Sequence, residues 1–365
     1  MKKVHISQAD TLFANGIYPI EFILFYREKL DTEKIRGALK ELASLFWPMF
    51  GKYDGGIISF DEYSESESFN EIILHEDFNN DEAHLDIYKK YHNVNPANMN
   101  RLSFLTVIQF KNGTAIIPKL SHLAGDGYSY FFFLSALASK MQGSEITFRP
   151  KHERTVLKDF KYNHNNTVPI PGNSNLLIEN INVPREEVHV NIRKIKADFG
   201  ETVSTNDILT AMMMKKSVEV EKATLGEDFF LTIPIDVRNK VSEYGPVFFG
   251  NGIMKHVTEF KTEEIEGMHI NEIAVKIRKF MPEVTSKSYY DFLESLEGII
   301  EAGRFNELEV YDPEKGCLVT NLSRLPASIL DFGSGNPDFI FALTIAKNSA
   351  AVLADEENYI LRMVY

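Results

Sequence analysis

Ser121-His122-Leu123-Ala124-Gly125-Asp126-Gly127 is the stretch on which the reading of the fold turns. Upstream, Ser103 to Phe110 and Thr114 to Ser121 are β-rich runs on either side of Lys111-Asn112-Gly113, and an Asn-Gly step between such runs marks a hairpin. A strand therefore ends close to His122. Downstream, Tyr128 to Met141 is aromatic and aliphatic without a breaker and stops before Gly143, as a buried helix does. An imidazole between a strand end and a helix start can serve as a general base, since it titrates near neutral pH and positioned proton abstraction contributes about 10²–10⁴-fold. Asp126, four residues on across a turn, can pair with a cation and fix the loop. The alternative is a buried histidine satisfied by backbone, with Asp126 as a turn residue, and the heptapeptide alone leaves both readings open.

Working outward, residues 32 to 47 place Ile35, Ala38, Leu39, Leu42, Leu45 and Phe46 on one helical face, with Asp31 or Thr32 as N-cap. From about Lys151 to Asn180 the pattern weakens into polar, turn-forming sequence, read as a linker between two lobes. Ser204 with Asp207 three residues on resembles a capping box opening a helix through Ile208, Leu209 and Met212. Strand-like Phe229 to Ile235 follows, then helices near 262 to 280 and 289 to 303, then strands at Phe339 to Ile345 and Tyr359 to Val364. Both halves mix strands and helices without strict βαβ alternation, which predicts two α+β lobes.

The 365 residues are 44% hydrophobic and 12% aromatic, enough for one large core or two adjoining ones. A formal net charge of −13 gives no general attraction to nucleic acid or anionic lipid. A phosphate-bearing ligand then needs local basic residues or backbone N–H groups. The single cysteine, Cys317, permits no intramolecular disulfide and no thiolate metal cluster. The N-terminus reaches Asp10 and Asn15-Gly16 before an apolar segment develops, and no apolar run spans a bilayer, so a cytoplasmic protein without a membrane span is expected.

His122 through Gly127 spells an HxxxDG pattern, and Asp331-Phe332-Gly333-Ser334-Gly335 resembles a DFGWG pattern far downstream. These two, in this order, resemble the BAHD branch of the coenzyme A-dependent acyltransferase superfamily. Ser204-Thr205-Asn206-Asp207, Asp236-Val237-Arg238, Phe249-Gly250-Asn251 and Thr320-Asn321-Leu322-Ser323-Arg324-Leu325-Pro326 resemble segments between those motifs. Ser7-Gln8-Ala9-Asp10 and Leu45-Phe46-Trp47-Pro48-Met49-Phe50-Gly51 resemble the family's opening signatures, so the likeness spans nearly the whole chain.

The resemblance implies an α+β sandwich of two chloramphenicol-acetyltransferase-like lobes, with mixed sheets flanked by helices and an active-site tunnel between them. The boundaries expected are 1–160 for the N-terminal lobe, 161–180 for the linker and 181–365 for the C-terminal lobe. It implies transfer of an acyl group from acyl-CoA, as cosubstrate, to a hydroxyl or amine of a small molecule, with His122 as base, no permanently bound cofactor and no metal. Asp126 is expected to pair with Arg238 and hold the His122 loop together with Gly127, and Asp331 and Gly333 to shape a loop away from the chemistry. Thr320 and Asn251 are candidates for oxyanion or acceptor contacts, against a plain turn or ladder role. Arg193, Lys194 and Lys196, with Ser204 and Thr205, are candidates for the coenzyme's phosphates, against alternating charges on a solvated strand face. Leu322 and Ser334 stand where the family carries aromatic residues, which points away from plant-type phenolic acceptors and, with a chain shorter than is usual for the plant branch, to a divergent, bacterial member; a monomer is expected. Donation from an acyl carrier protein, or a non-catalytic binding relative, are the competing readings.

Overall fold

The computed structural model describes residues 1–13, 19–162, 176–221 and 225–365. Its strands are β1 (Lys2–His5), β2 (Ile20–Tyr26), β3 (Lys52–Asp54), β4 (Ile57–Phe60), β5 (Phe69–Ile73), β6 (Ser103–Phe110), β7 (Gly113–Leu120), β8 (Ile178–Pro184), β9 (Asp228–Asp236), β10 (Ile253–Lys261), β11 (Gly316–Asn321), β12 (Phe339–Ala342), β13 (Ser349–Ala354) and β14 (Asn358–Val364). The α-helices are α1 (Thr32–Ala43), α2 (His84–Tyr91), α3 (Gly127–Met141), α4 (Arg185–Phe199), α5 (Thr205–Glu221), α6 (Thr262–Gly267), α7 (Ile270–Phe280) and α8 (Ser286–Glu301). Among the described residues no helix is long and apolar enough to cross a membrane.

Two mixed sheets carry the two lobes. The first runs β12-β2-β7-β6-β5, the second β10-β9-β11-β13-β14-β8, and a small third sheet runs β1-β4-β3. The β6–β7 hairpin closes with Phe110 opposite Gly113, as the Asn-Gly step predicts. Helices α1 and α3 cover one face of the first sheet through Ile35, Leu39, Phe131 and Leu134, all essentially buried. On the second sheet, Val188 and Ile195 of α4, Ile208, Met213 and Met214 of α5 and Ile273 of α7 pack against Val319, Val352, Leu361 and Met363. The methionines here are core. Because side chains alternate along a strand, the opposite face of the second sheet presents Leu318, Leu322 and Ile360, which pack toward the first lobe's core. This face, the crevice face, is the one that meets the first lobe.

Several boundaries differ from expectation for local reasons. The first helix ends at Ala43, before the proline at 48 that disfavours helical backbone at Trp47. The helix expected over 262 to 280 is two helices, since His269 caps α7: its Nδ1 accepts from Asn271 N at 3.2 Å and Glu272 accepts from His269 N at 2.7 Å. The C-terminal lobe expected over 181–365 is crossed by one strand, because β12 pairs with β2 in the first sheet. Part of the expected linker, Ile178–Asn180, belongs to β8, and residues 163–175 lie outside the described ones.

Candidate functional site

His122 follows β7 after one residue, so the hairpin sets its position and the start of α3 sets its depth. Its ring stacks on Phe13 at 3.7 Å with 12° between planes. Nδ1 lies 3.1 Å from Asn251 Oδ1, while Asn251 Nδ2 donates to Asp10 Oδ1 at 2.7 Å and to the His122 carbonyl at 2.8 Å. A carboxylate and a carbonyl only accept, so these two bonds fix which end of the amide is nitrogen. Oδ1 must then accept from His122, which places the imidazole proton on Nδ1 and leaves the Nε2 lone pair as the base.

Asp10 is fully buried, and its Oδ2 accepts from Ser7 N at 2.7 Å and Ser7 Oγ at 3.2 Å and lies 2.8 Å from Arg154 Nε. Arg154 Nη2 also donates to Ala124 O at 2.9 Å, tying this cluster to the loop that carries His122. Burial pushes the His122 imidazole below its usual range, and the fields of Asp126 and Asp10 only partly offset that. Neutral imidazole, the form able to take a proton, is therefore the resting state at neutral pH.

Asp126 turns away from this ring. Its carboxylate accepts from Arg238 Nη2 at 2.8 Å and Nη1 at 2.9 Å, from Gly252 N at 2.9 Å and, as the cap of α3, from Ser129 N at 3.0 Å. Burial alone raises its pKa, but the Arg238 charge and these bonds outweigh it and hold the carboxyl ionised. Arg238, 2% exposed, also donates to Gly250 O at 3.0 Å and lies 4.4 Å from the Tyr128 ring centroid. A Cβ on Gly252 would stand 2.7 Å from Arg238 Nη1, so only glycine lets the guanidinium pass.

The remaining predicted residues separate into two groups. Asn251 is brought to His122, but both its amide protons are engaged by Asp10 and the His122 carbonyl. It has no donor left for an oxyanion and orients the imidazole instead. Thr320 lies on the crevice face of β11, between Leu318 and Leu322. Asp331 Oδ1 accepts from Gly333 N at 2.7 Å and Gly335 N at 2.9 Å, and Gly333 adopts φ +104°, open to glycine. That loop binds Gln142 at the far end of α3, a 15-residue helix about 22 Å long, well away from His122.

Arg193, Lys194 and Lys196 sit on α4, a helix and not a strand face. Arg193 pairs with Glu186 at 2.6 Å, and Lys196 donates to Gly200 O at 3.1 Å. Ser204 Oγ donates to Asp207 at 2.9 Å and accepts from Arg278 Nη2 at 2.7 Å, with Thr205 opening α5. Sequence reasoning missed the roles of Phe13 and Arg154. Arg154 lies where the pattern was weakest, and Asp10 was visible only as part of the opening Ser7-Gln8-Ala9-Asp10 signature.

A family model described as "Transferase family" matches residues 63–359. No curated protein matches by sequence. Among solved structures, vinorine synthase is similar at a TM-score of 0.77 and 19% identity, over 100% of this chain and 90% of that one. F. sporotrichioides TRI101, solved with coenzyme A and T-2, is similar at 0.77 and 12%, over 99% and 94%. The first condensation domain of the CDA synthetase is similar at 0.59 and 11%, over 99% and 90%. At these identities the likeness establishes the fold: two α+β lobes with mixed sheets.

Proposed function

The chain belongs to the Transferase family, as a BAHD-type acyltransferase, and on that premise we propose that it moves an acyl group from a CoA thioester to a hydroxyl or amine of a small molecule, with His122 as general base. One observation carries the reading: the Asp10–Asn251–His122 chain fixes the proton on Nδ1 and leaves Nε2 free to accept.

In the step proposed, the acceptor oxygen or nitrogen attacks the thioester carbon while its proton passes to His122 Nε2. The carbonyl oxygen carries the negative charge of the tetrahedral intermediate. The carbon–sulfur bond then breaks, and the departing thiolate takes the proton back from the imidazolium. No acyl-enzyme forms, and the base ends neutral. Thr320, on the crevice face of β11, is assigned the donor to the oxyanion, a contact worth about 2.7–4 kcal/mol where it has been measured. Asp126 and Arg238 hold the loop and touch no substrate. The coenzyme's phosphates are assigned to Lys194 and to the start of α5 at Thr205, where backbone N–H groups favour an anion against the overall negative charge, while Ser204 gives both its N–H and its hydroxyl proton to Asp207. Titration calorimetry with acetyl-CoA and longer acyl-CoAs, followed by thiol release with a panel of alcohols and amines, tests the donor class. Saturable binding with acceptor-dependent release supports it. Absence of binding to every CoA thioester refutes it.

A further inference from the structure

Arg362 on β14 is 3% exposed, yet its Nε and Nη2 have no hydrogen-bond partner. Among the described residues no carboxylate lies within ion-pair distance of it. Burial pushes its pKa down to about 10, with only Tyr88 opposing. Nε and Nη2 share one edge of the guanidinium, the edge that grips a carboxylate through two parallel hydrogen bonds. An uncompensated buried cation is expensive, and unpaired buried donors add to that.

The place of this side chain in the fold says what fills the edge. Thr320, Ala351, Arg362 and Asn180 are successive register partners across β11, β13, β14 and β8, so their side chains share one face of the second sheet. That face is the crevice face, since Leu361 and Met363 on either side of Arg362 point into the opposite, helix-covered core. Two strand spacings separate Arg362 from Thr320, about 10 Å. Thr320 in turn is two residues from Leu322, whose Cδ2 stands 3.0 Å from where a Cβ on Gly127 would be, in the motif that carries His122.

From the first lobe, Phe341 of β12 lies beneath the guanidinium at 5.2 Å, and His84 of α2 lies 5.6 Å from the same ring. Burial, and then the arginine's charge, lower the His84 pKa, which keeps that imidazole neutral beside the guanidinium. Asn180 Oδ1 is likewise buried and unpartnered, and a half-turn of its amide would present a third donor to the same spot.

We propose that Arg362 is the docking point for a substrate carboxylate, so that the enzyme acts on a carboxylate-bearing acceptor or a dicarboxylic acyl group. This rests on the acyl-transfer reading for what lies in the crevice. The carboxylate binds edge-on to Nε and Nη2, over an apolar floor formed by Phe341, while the reacting groups extend along the sheet toward Thr320.

The test pairs probes that differ by one carboxylate: succinyl-CoA against butyryl-CoA as donors, and 3-hydroxybutyrate against 2-butanol as acceptors. Wild type should favour the acid of one pair by ten-fold or more in kcat/KM, and the pair that shows the preference identifies which substrate carries the group. Arg362→Lys, which keeps the charge without the forked edge, should lose most of the preference, and Arg362→Met all of it. Thermal melts read the site without turnover. Succinate should raise the Tm of wild type and leave Arg362→Met unchanged, and Arg362→Met alone should melt no lower than wild type, because it removes an unpaired buried charge. A Tm several degrees lower in Arg362→Met would show that the guanidinium is satisfied internally and would overturn the proposal, as would equal use of acid and neutral probes by an active enzyme. Succinate stabilisation without any CoA binding would keep the carboxylate site and discard acyl transfer.

Discussion

Replacing Asp126 with Asn keeps the shape of the side chain and removes one charge from a buried pair. Arg238 would keep its bonds to Gly250 O at 3.0 Å and Phe248 O at 3.3 Å, but its other acid, Asp236, lies 3.3 Å away on a half-exposed side chain and compensates poorly. Breaking one partner of a buried pair of this kind costs about 3–5 kcal/mol. Unfolding 365 residues in one cooperative transition carries an entropy of about 0.8 kcal/mol/K, at roughly 2.1 cal/mol/K per residue, so the loss corresponds to a Tm lower by about 4–6 °C. Calorimetry at pH 7.5 on Asp126→Asn, Arg238→Met and the double variant forms a cycle. The double variant should melt above the sum of the two single losses, since neither charge is left alone. Single variants with the Tm of wild type, or purely additive losses, would refute the structural role given to this pair.

Three other outcomes follow from the same geometry. Asn251→Leu should lower kcat by about 10²-fold with little change in KM, because the imidazole loses the acceptor that fixes its proton on Nδ1; steady-state kinetics would read the split. The acid limb of the kcat/KM profile should fall below about 6.5, the ordinary imidazole value, since burial disfavours the imidazolium and the neutral base survives to lower pH; a limb above 7 would contradict that. Glu21 is pushed up to about 7 by burial, against the charge of Lys119 and the hydrogen bond from Asn95. Its folded pKa exceeds the unfolded value of 4.5, so its contribution is fully present below 4.5 and is lost as pH rises toward 7. The Tm of wild type should therefore drop more between pH 5 and 8 than that of Glu21→Gln, and parallel curves would exclude the shift.

Local chemistry made part of this molecule legible in the sequence. The Asn112-Gly113 step, the breaker-free run to Met141 and the Ser204–Asp207 pair each state their element in a few residues, and the structure has β6–β7, α3 and the start of α5 there. His122 was placed by its two neighbours in the chain. The less legible parts depend on contacts made across long sequence separations. Nothing near residue 251 announces that its amide will be held by Asp10, and nothing near residue 362 announces a buried arginine facing another lobe. The charged run at Arg193 to Lys196 gave no period by which to separate helix from strand, because its partners at Glu186 and Gly200 lie one to two turns away. β12 joins the first sheet from the far end of the chain, a choice of partner that no local pattern encodes.

The most direct test of the account is thiol release from an acyl-CoA, with a reactive acceptor, by wild type and His122→Ala at matched folding, checked by Tm. The account predicts that the variant melts like wild type, still binds the acyl-CoA and loses acceptor-dependent release by 10²-fold or more. Release at the wild-type rate from a folded His122→Ala would contradict the assignment of His122 as the base.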